Sequence, residues 1–242
     1  MKTLYLLLWL SFFSCADDSV RVTEHNEDTR DSNIKQDQDE MEALTYLALG
    51  DSYTIGESVD VSERWPVQLA KQLKDVDIPM SDPQIIATTG WTTDELLKGI
   101  EAAETQVSYD LVSLLIGVNN QYRGYPIEQQ KEEFEVLLKK AIKFANMDTT
   151  RVFVVSIPDW GVTPFAKGRD QEKIAAEIDA YNQVNETICE NYGVKYFDIT
   201  PISRKAAQDE SLVALDGLHP SGKMYSEWVE LIFPWVEEIF AE

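Results

Sequence analysis

The chain of 242 residues carries 43 Asp and Glu against 21 Lys and Arg, a formal charge of −22, with 44% apolar and 10% aromatic residues. That length and apolar content suit one good-sized domain with an appendage and exclude a wholly disordered chain, while the charge excludes a nucleic-acid binder, which needs cations to neutralise phosphates. Two cysteines exclude a disulfide scaffold, and two histidines leave little material for a zinc site and little choice for any mechanism that needs an imidazole.

The chain opens with Lys2 and a largely apolar stretch, Leu4–Phe13, followed by Ser14 and Cys15. The stretch is too short for a membrane-spanning helix, which needs about twenty residues, but it suits the core of a signal peptide. A small residue followed by cysteine at this place resembles a bacterial lipobox. Residues 1–14 are therefore expected to be a signal peptide, with Cys15 the lipidated new N-terminus. The next segment, 16–42, holds ten acidic and three basic residues and no aromatic. It cannot bury enough surface to offset its ordering entropy, so 15–42 is expected to be a solvated acidic tether. His25 falls within it, as a side chain of no chemical consequence. The expected location is a bacterial cell envelope, with membrane contact through the lipid anchor only; the alternative is an ordinary secretory signal with an incidental Cys15, and a secreted protein.

From Ala43 strands and helices alternate. Ala43–Leu49 is a mostly apolar run ending in Gly50, as in buried parallel strands. Trp65–Leu73 presents a helical apolar face. Gln84–Ala87 reads as a second strand and Thr93–Ala103 as a helix capped by Thr92 or Thr93. Leu111–Gly117 is a third strand, Glu128–Ala145 a long amphipathic helix, and Arg151–Ile157 a fourth strand stopped by Pro158. Gln171–Tyr192 reads as a helix, Val194–Asp198 as a fifth strand, and Ser221–Ala241 as a terminal helix. Such alternation means one α/β domain over 43–242, a parallel sheet with helices on both faces.

Ligands bind such sheets at the carboxyl ends of the strands. There the sequence places Gly50-Asp51-Ser52-Tyr53, then Thr88-Thr89-Gly90-Trp91, then Gly117-Val118-Asn119-Asn120. The loop before the last helix carries Asp216-Gly217-Leu218-His219-Pro220. These are the parts of an acyl-transfer site. A serine hydroxyl needs a base to take its proton, and His219 is the only histidine of the domain. An imidazole needs a carboxylate on its other nitrogen, and Asp216 can fold back to supply it if Gly217 permits a turn. The N–H groups of Ser52 and Gly90 and the side-chain amide of Asn119 can hold an oxyanion. Taken singly, Ser52 also fits a helix N-cap, Gly90 and Asn119 fit turns, and Asp216 fits an Asx turn.

In this order, Gly-Asp-Ser with Ser52, then Gly90, then Gly-x-Asn with Asn119, then Asp-x-x-His with Asp216 and His219, the blocks resemble the SGNH/GDSL hydrolase family across residues 43–242. The resemblance implies a flavodoxin-like three-layer αβα sandwich of about five parallel strands. It also implies ester hydrolysis through an acyl-serine, with no metal and no cofactor. One block departs: the family's Gly-x-Asn-Asp reads Gly117-Val118-Asn119-Asn120, which puts the geometry of the surrounding loop in question.

The resemblance covers lysophospholipids, thioesters, short-chain esters and acetylated sugars as substrates. Residues 43–242 keep 33 acids and 17 bases, and long-range repulsion of anions favours small neutral esters or acylated glycans. The competing expectation is a surface-tethered binding protein that has kept the hydrolase core and lost activity. Trp91, Trp160 and Tyr53 follow strand ends and are either pocket walls or core. Arg123 and Arg169 are either anion clamps or surface ion pairs. Cys189 is expected to pack.

Overall fold

The computed structural model describes residues 43–241. The expected signal peptide at 1–14, Cys15 and the tether at 15–42 lie outside the described residues. Five strands, β1 (Tyr46–Gly50), β2 (Gln84–Ala87), β3 (Leu111–Leu115), β4 (Val152–Val155) and β5 (Lys195–Phe197), form one sheet in the order β2-β1-β3-β4-β5, with every pairing parallel. Among the described residues, eight α-helices surround it: α1 (Ser52–Ile55), α2 (Trp65–Asp75), α3 (Thr93–Ala102), α4 (Val118–Tyr122), α5 (Ile127–Phe144), α6 (Gln171–Tyr192), α7 (Thr200–Arg204) and α8 (Gly222–Phe240). None of these helices is long and apolar enough to cross a membrane.

The central strands β1, β3 and β4 are apolar but for Ser113, because successive side chains enter two different cores. Tyr46, Ala48, Leu111, Phe153 and Val155 pack with Trp65 and Leu69 of α2 and with Tyr225, Trp228 and Ile232 of α8. Leu47, Leu49, Val112, Leu114 and Val154 point the other way, onto Leu96 of α3 and Phe134, Leu137 and Leu138 of α5. The long helix α6 serves both cores, with Ile174 and Ile178 in the first and Ile188 and Cys189 in the second. Cys189 is fully buried, as expected, and burial pushes its thiol up to about 12.

The strand order puts the reversal of winding between β1 and β3, the place where open α/β sheets open a crevice. Gly50 closes β1 against this crevice. A side chain there would collide with Thr54 Oγ1 and meet the Leu115 carbonyl oxygen at 2.5 Å. Only glycine lets the chain leave β1 so close to β3 and enter α1 at Ser52.

Candidate active site

Ser52 begins α1 and is buried. The cap of this helix is not Ser52 but Asp51, whose Oδ1 accepts from Tyr53 N at 3.0 Å, so the serine hydroxyl is spared that task. Burial pushes the Asp51 carboxyl up to about 7, against the lowering effect of backbone N–H groups and the Asn119 side chain. Its Oδ2 has no hydrogen-bond partner among the described residues.

His219 sits in a loop folded on itself. Ala214 N donates to the His219 carbonyl at 2.7 Å, Ser221 N donates to the Leu212 carbonyl at 2.9 Å, and Gly217 turns with a left-handed φ of 73°. The turn brings Asp216 under the imidazole, with Oδ2 2.6 Å from His219 Nδ1. Oδ1 accepts the backbone N–H groups of Leu218 at 2.9 Å and His219 at 3.0 Å. The Asx turn and the carboxylate–imidazole pair thus hold together in one residue. Burial acts to raise the Asp216 carboxyl, but the bonds from His219, the two backbone N–H groups and Ser58 outweigh it and hold the group down to about 2. A carboxylate that stays ionised fixes the tautomer with a proton on Nδ1 and leaves Nε2 as the base. The ring of Tyr53 lies 5.5 Å from the imidazole, tilted by 60°.

Ser52, Gly90, Asn119 and His219 line one cavity of about 180 Å³, together with Tyr53, Thr89, Val118, Tyr122, Trp160, Phe165 and Leu218. Four of the five expected site residues of the domain therefore face one space, and the fifth, Asp216, stands behind His219. No hydrogen bond joins Ser52 to His219 among the described residues. Gly90 adopts φ 88°, and its N–H donates to no backbone carbonyl among the described residues. Asn119 Nδ2 donates to the Trp91 carbonyl at 2.9 Å, which spends one of its two amide hydrogens and fixes the side chain. Arg123, just past the end of α4, donates from Nη2 to the Gly90 carbonyl at 2.6 Å and pairs with Glu95 at 3.3 Å. The loop bearing Gly90 is thus pinned twice by residues that follow β3.

Asn120 answers the question raised by the departure from Gly-x-Asn-Asp. It is fully buried; its Oδ1 accepts from Thr93 N at 3.0 Å and its Nδ2 donates to Thr93 Oγ1 at 2.6 Å. Thr93 spends its own proton on Glu133 Oε2. The loop after β3 is therefore clasped to the start of α3 without the missing carboxylate, which Glu133 supplies from α5.

The three aromatic expectations divide. Tyr53 and Trp160 line the cavity. Trp91 does not; its ring lies on Gly99 of α3, where any side chain would collide with it. Arg169 forms no ion pair among the described residues. Its guanidinium lies 5.2–5.3 Å from the rings of Tyr122, Trp160 and Phe165, so it braces the aromatic wall. Sequence reasoning passes over Tyr122, Phe165 and Leu218 as lining residues, and over Ser58, whose hydroxyl donates to Asp216 Oδ2 at 2.7 Å. No cluster of His, Cys, Asp and Glu suited to a metal ion occurs among the described residues.

The model of the GDSL-like lipase/acylhydrolase family matches residues 48–226. No curated protein matches the sequence. Among solved structures, a lipase/acylhydrolase from Enterococcus faecalis superposes with a TM-score of 0.64 at 17% identity, covering 81% of this chain and 96% of its own. The esterase EstA from Pseudoalteromonas sp., in a structure inhibited by monoethylphosphonate, gives 0.63 at 16% identity, covering 82% and 100%. The acetyl-xylooligosaccharide esterase Axe2 from Geobacillus gives 0.61 at 15% identity, covering 80% and 94%. At such identities these likenesses establish the fold.

Proposed function

This chain belongs to the GDSL-like lipase/acylhydrolase family, and on that footing we propose that it is a serine carboxyl-ester hydrolase acting on small or carbohydrate-linked acyl esters. In this reading His219 Nε2 takes the Ser52 proton as Oγ attacks the ester carbonyl, and Asp216 orients the imidazole and stabilises the imidazolium. The N–H groups of Ser52 and Gly90 and the second amide hydrogen of Asn119 hold the oxyanion. Collapse expels the alcohol, protonated by His219, and leaves an acyl-serine. Water, deprotonated by the same imidazole, then attacks the acyl carbon; the acid leaves and Oγ regains its proton. The observation that carries the reading is the Asp216–His219 pair at 2.6 Å on the wall of the cavity that Ser52 lines.

The same cavity supports the substrate class. Its volume of about 180 Å³ lies below the roughly 300–1,000 Å³ of drug-sized sites, which suits a short acyl group. Tyr122, Trp160 and Phe165 offer aromatic surface to an acyl chain or a sugar. The acidity of residues 43–242 works against strongly anionic substrates. The test is a p-nitrophenyl ester series from acetate upward, beside an acetylated xylan with release of acetate measured, in the parent and in Ser52→Ala. Turnover that peaks at short acyl groups and vanishes in Ser52→Ala supports the reading; preference for long chains overturns the substrate class, and turnover unchanged in Ser52→Ala overturns the mechanism.

From residues 1–42 we also propose a lipid-anchored location at a bacterial envelope, with Cys15 as the modified residue. Mass spectrometry of the N-terminal peptide from cells would show a diacylglyceryl Cys15; an unmodified peptide beginning at another residue would contradict it.

A further inference from the structure

The segment leaving the nucleophile helix touches more of the site than its surface position suggests. Gly56 ends α1 with φ 68°, and the N–H groups of Gly56 and Glu57 both donate to the Ser52 carbonyl. The Glu57 carboxylate accepts from Oγ1 of Thr89, the residue before Gly90. Ser58 Oγ donates to Asp216 Oδ2, the same oxygen that faces His219 Nδ1. Three consecutive residues thus hold the loops of the nucleophile, of the oxyanion glycine and of the carboxylate.

Ser58 is also one of four non-glycine residues with positive φ among the described residues, at 66°. A side chain in the left-handed region is strained, and such strain persists where surrounding contacts over-determine the backbone. Here the conformation aims the hydroxyl at Asp216. With Ser58 in place, Asp216 accepts four hydrogen bonds, enough to fill the acceptor sites of a carboxylate. Among the described residues, only Ser58 and the imidazole hold Oδ2.

We propose that Ser58 is a positioning residue of the Asp216–His219 pair and that Gly56–Ser58 is the brace that keeps the carboxylate, the nucleophile and the oxyanion loop in register. The proposal rests on the hydrolase reading for its kinetic consequence, and on geometry alone for its structural one.

The experiment compares the full chain with Ser58→Gly and Ser58→Asn. Glycine removes the hydroxyl and relieves the left-handed strain, so the fold survives and Tm holds or rises. Asparagine tolerates the left-handed region and returns an N–H donor. We expect kcat on a short-chain ester to fall about tenfold in Ser58→Gly, the worth of one hydrogen bond, with KM unchanged and kcat restored in Ser58→Asn. The downfield Nδ1–H resonance of His219 in the proton NMR spectrum should broaden by exchange in Ser58→Gly and sharpen again in Ser58→Asn. Parent-like kcat and resonance in Ser58→Gly would overturn the proposal, as would a loss that tracks a lowered Tm and is not restored by asparagine. The resonance is read on the folded chain whatever it hydrolyses. A parent inert to every ester would therefore refute the hydrolase reading while the resonance still decided the brace.

Discussion

Replacing Asn120 by the aspartate usual in the third family block should weaken this protein, because the proton count around Thr93 would no longer balance. Thr93 Oγ1 has one hydrogen, and it goes to Glu133 Oε2; the other bond at that oxygen is received from Asn120 Nδ2 at 2.6 Å. In Asn120→Asp a carboxylate oxygen takes the place of the amide, and two carboxylates face a single hydroxyl proton, one of them at a fully buried position. An unsatisfied buried polar group costs about 1–3 kcal/mol, with more for a charge, so a loss near 3 kcal/mol is expected. At a urea m-value of about 2–3 kcal/mol/M, the unfolding midpoint drops by about 1 M. Glu133→Gln is the partner test. In the double variant the carbonyl oxygen of the introduced glutamine still accepts from Gln129 Nε2, which in the parent reaches Glu133 Oε1 at 2.9 Å. The amide of that glutamine then donates to Thr93 Oγ1 and frees the hydroxyl proton for the introduced aspartate. The two substitutions should therefore offset one another by about 0.5–3 kcal/mol, the range of directly coupled pairs. A midpoint in Asn120→Asp equal to that of the parent, or losses that simply add in the double variant, would show that the proton count does not govern this clasp.

The pH dependence of stability carries two opposite contributions. Asp51, raised to about 7, keeps a proton in the fold that the unfolded chain releases near pH 4; its contribution is full below pH 4 and is lost as pH rises to about 7. Asp51→Asn should flatten that part of a Tm-against-pH curve, and an unchanged slope between pH 4 and 7 would count against the assignment. Asp216, held down to about 2, contributes above pH 4 and loses its contribution as pH falls from about 4 to 2, so Asp216→Asn should remove part of the acid lability; a Tm that falls as steeply below pH 4 as in the parent would argue otherwise. Gly90→Ala meets no atom closer than Arg123 Nη2 at 3.8 Å, so its cost is the left-handed backbone alone, about 1–2 kcal/mol. That strain shifts the Gly90 N–H, and ester turnover is expected to fall about 10²–10³-fold; parent-like turnover in a variant whose Tm shows the strain would remove Gly90 from the oxyanion site.

Much of the fold was legible because the elements that build it are long and periodic. The helix expected at Gln171–Tyr192 has those bounds, and the five strands appear where apolar runs placed them. The runs overestimate strand length where they continue into the site: Leu111–Gly117 reads as one strand, but pairing stops at Leu115, and Gly117 turns at φ 122° into α4. The helices α1 and α4, of four and five residues, are too short to show a helical period, and only the N-cap reading of Ser52 points to the first of them. That Ser52, Gly90, Asn119 and His219 share one cavity, with Asp216 behind the imidazole, follows from strand ends the apolar runs located and from there being one domain histidine to pair. What supports these residues was not legible. The Ser58–Asp216 bond spans 158 residues and depends on a left-handed backbone that no local pattern marks. Nor does any local pattern tie Asn120 to Thr93, or show that Trp91 turns away onto Gly99 while Phe165 and Tyr122 reach the cavity.

The mechanism stands on Ser52 being a nucleophile activated by His219. Reaction of the folded chain with a fluorophosphonate, followed by mass spectrometry of the peptides, decides whether it is. A single adduct is expected, on Ser52, forming at least about 100-fold more slowly in His219→Ala. No adduct, an adduct on another residue, or labelling of Ser52 at the same rate without His219 would overturn the mechanism.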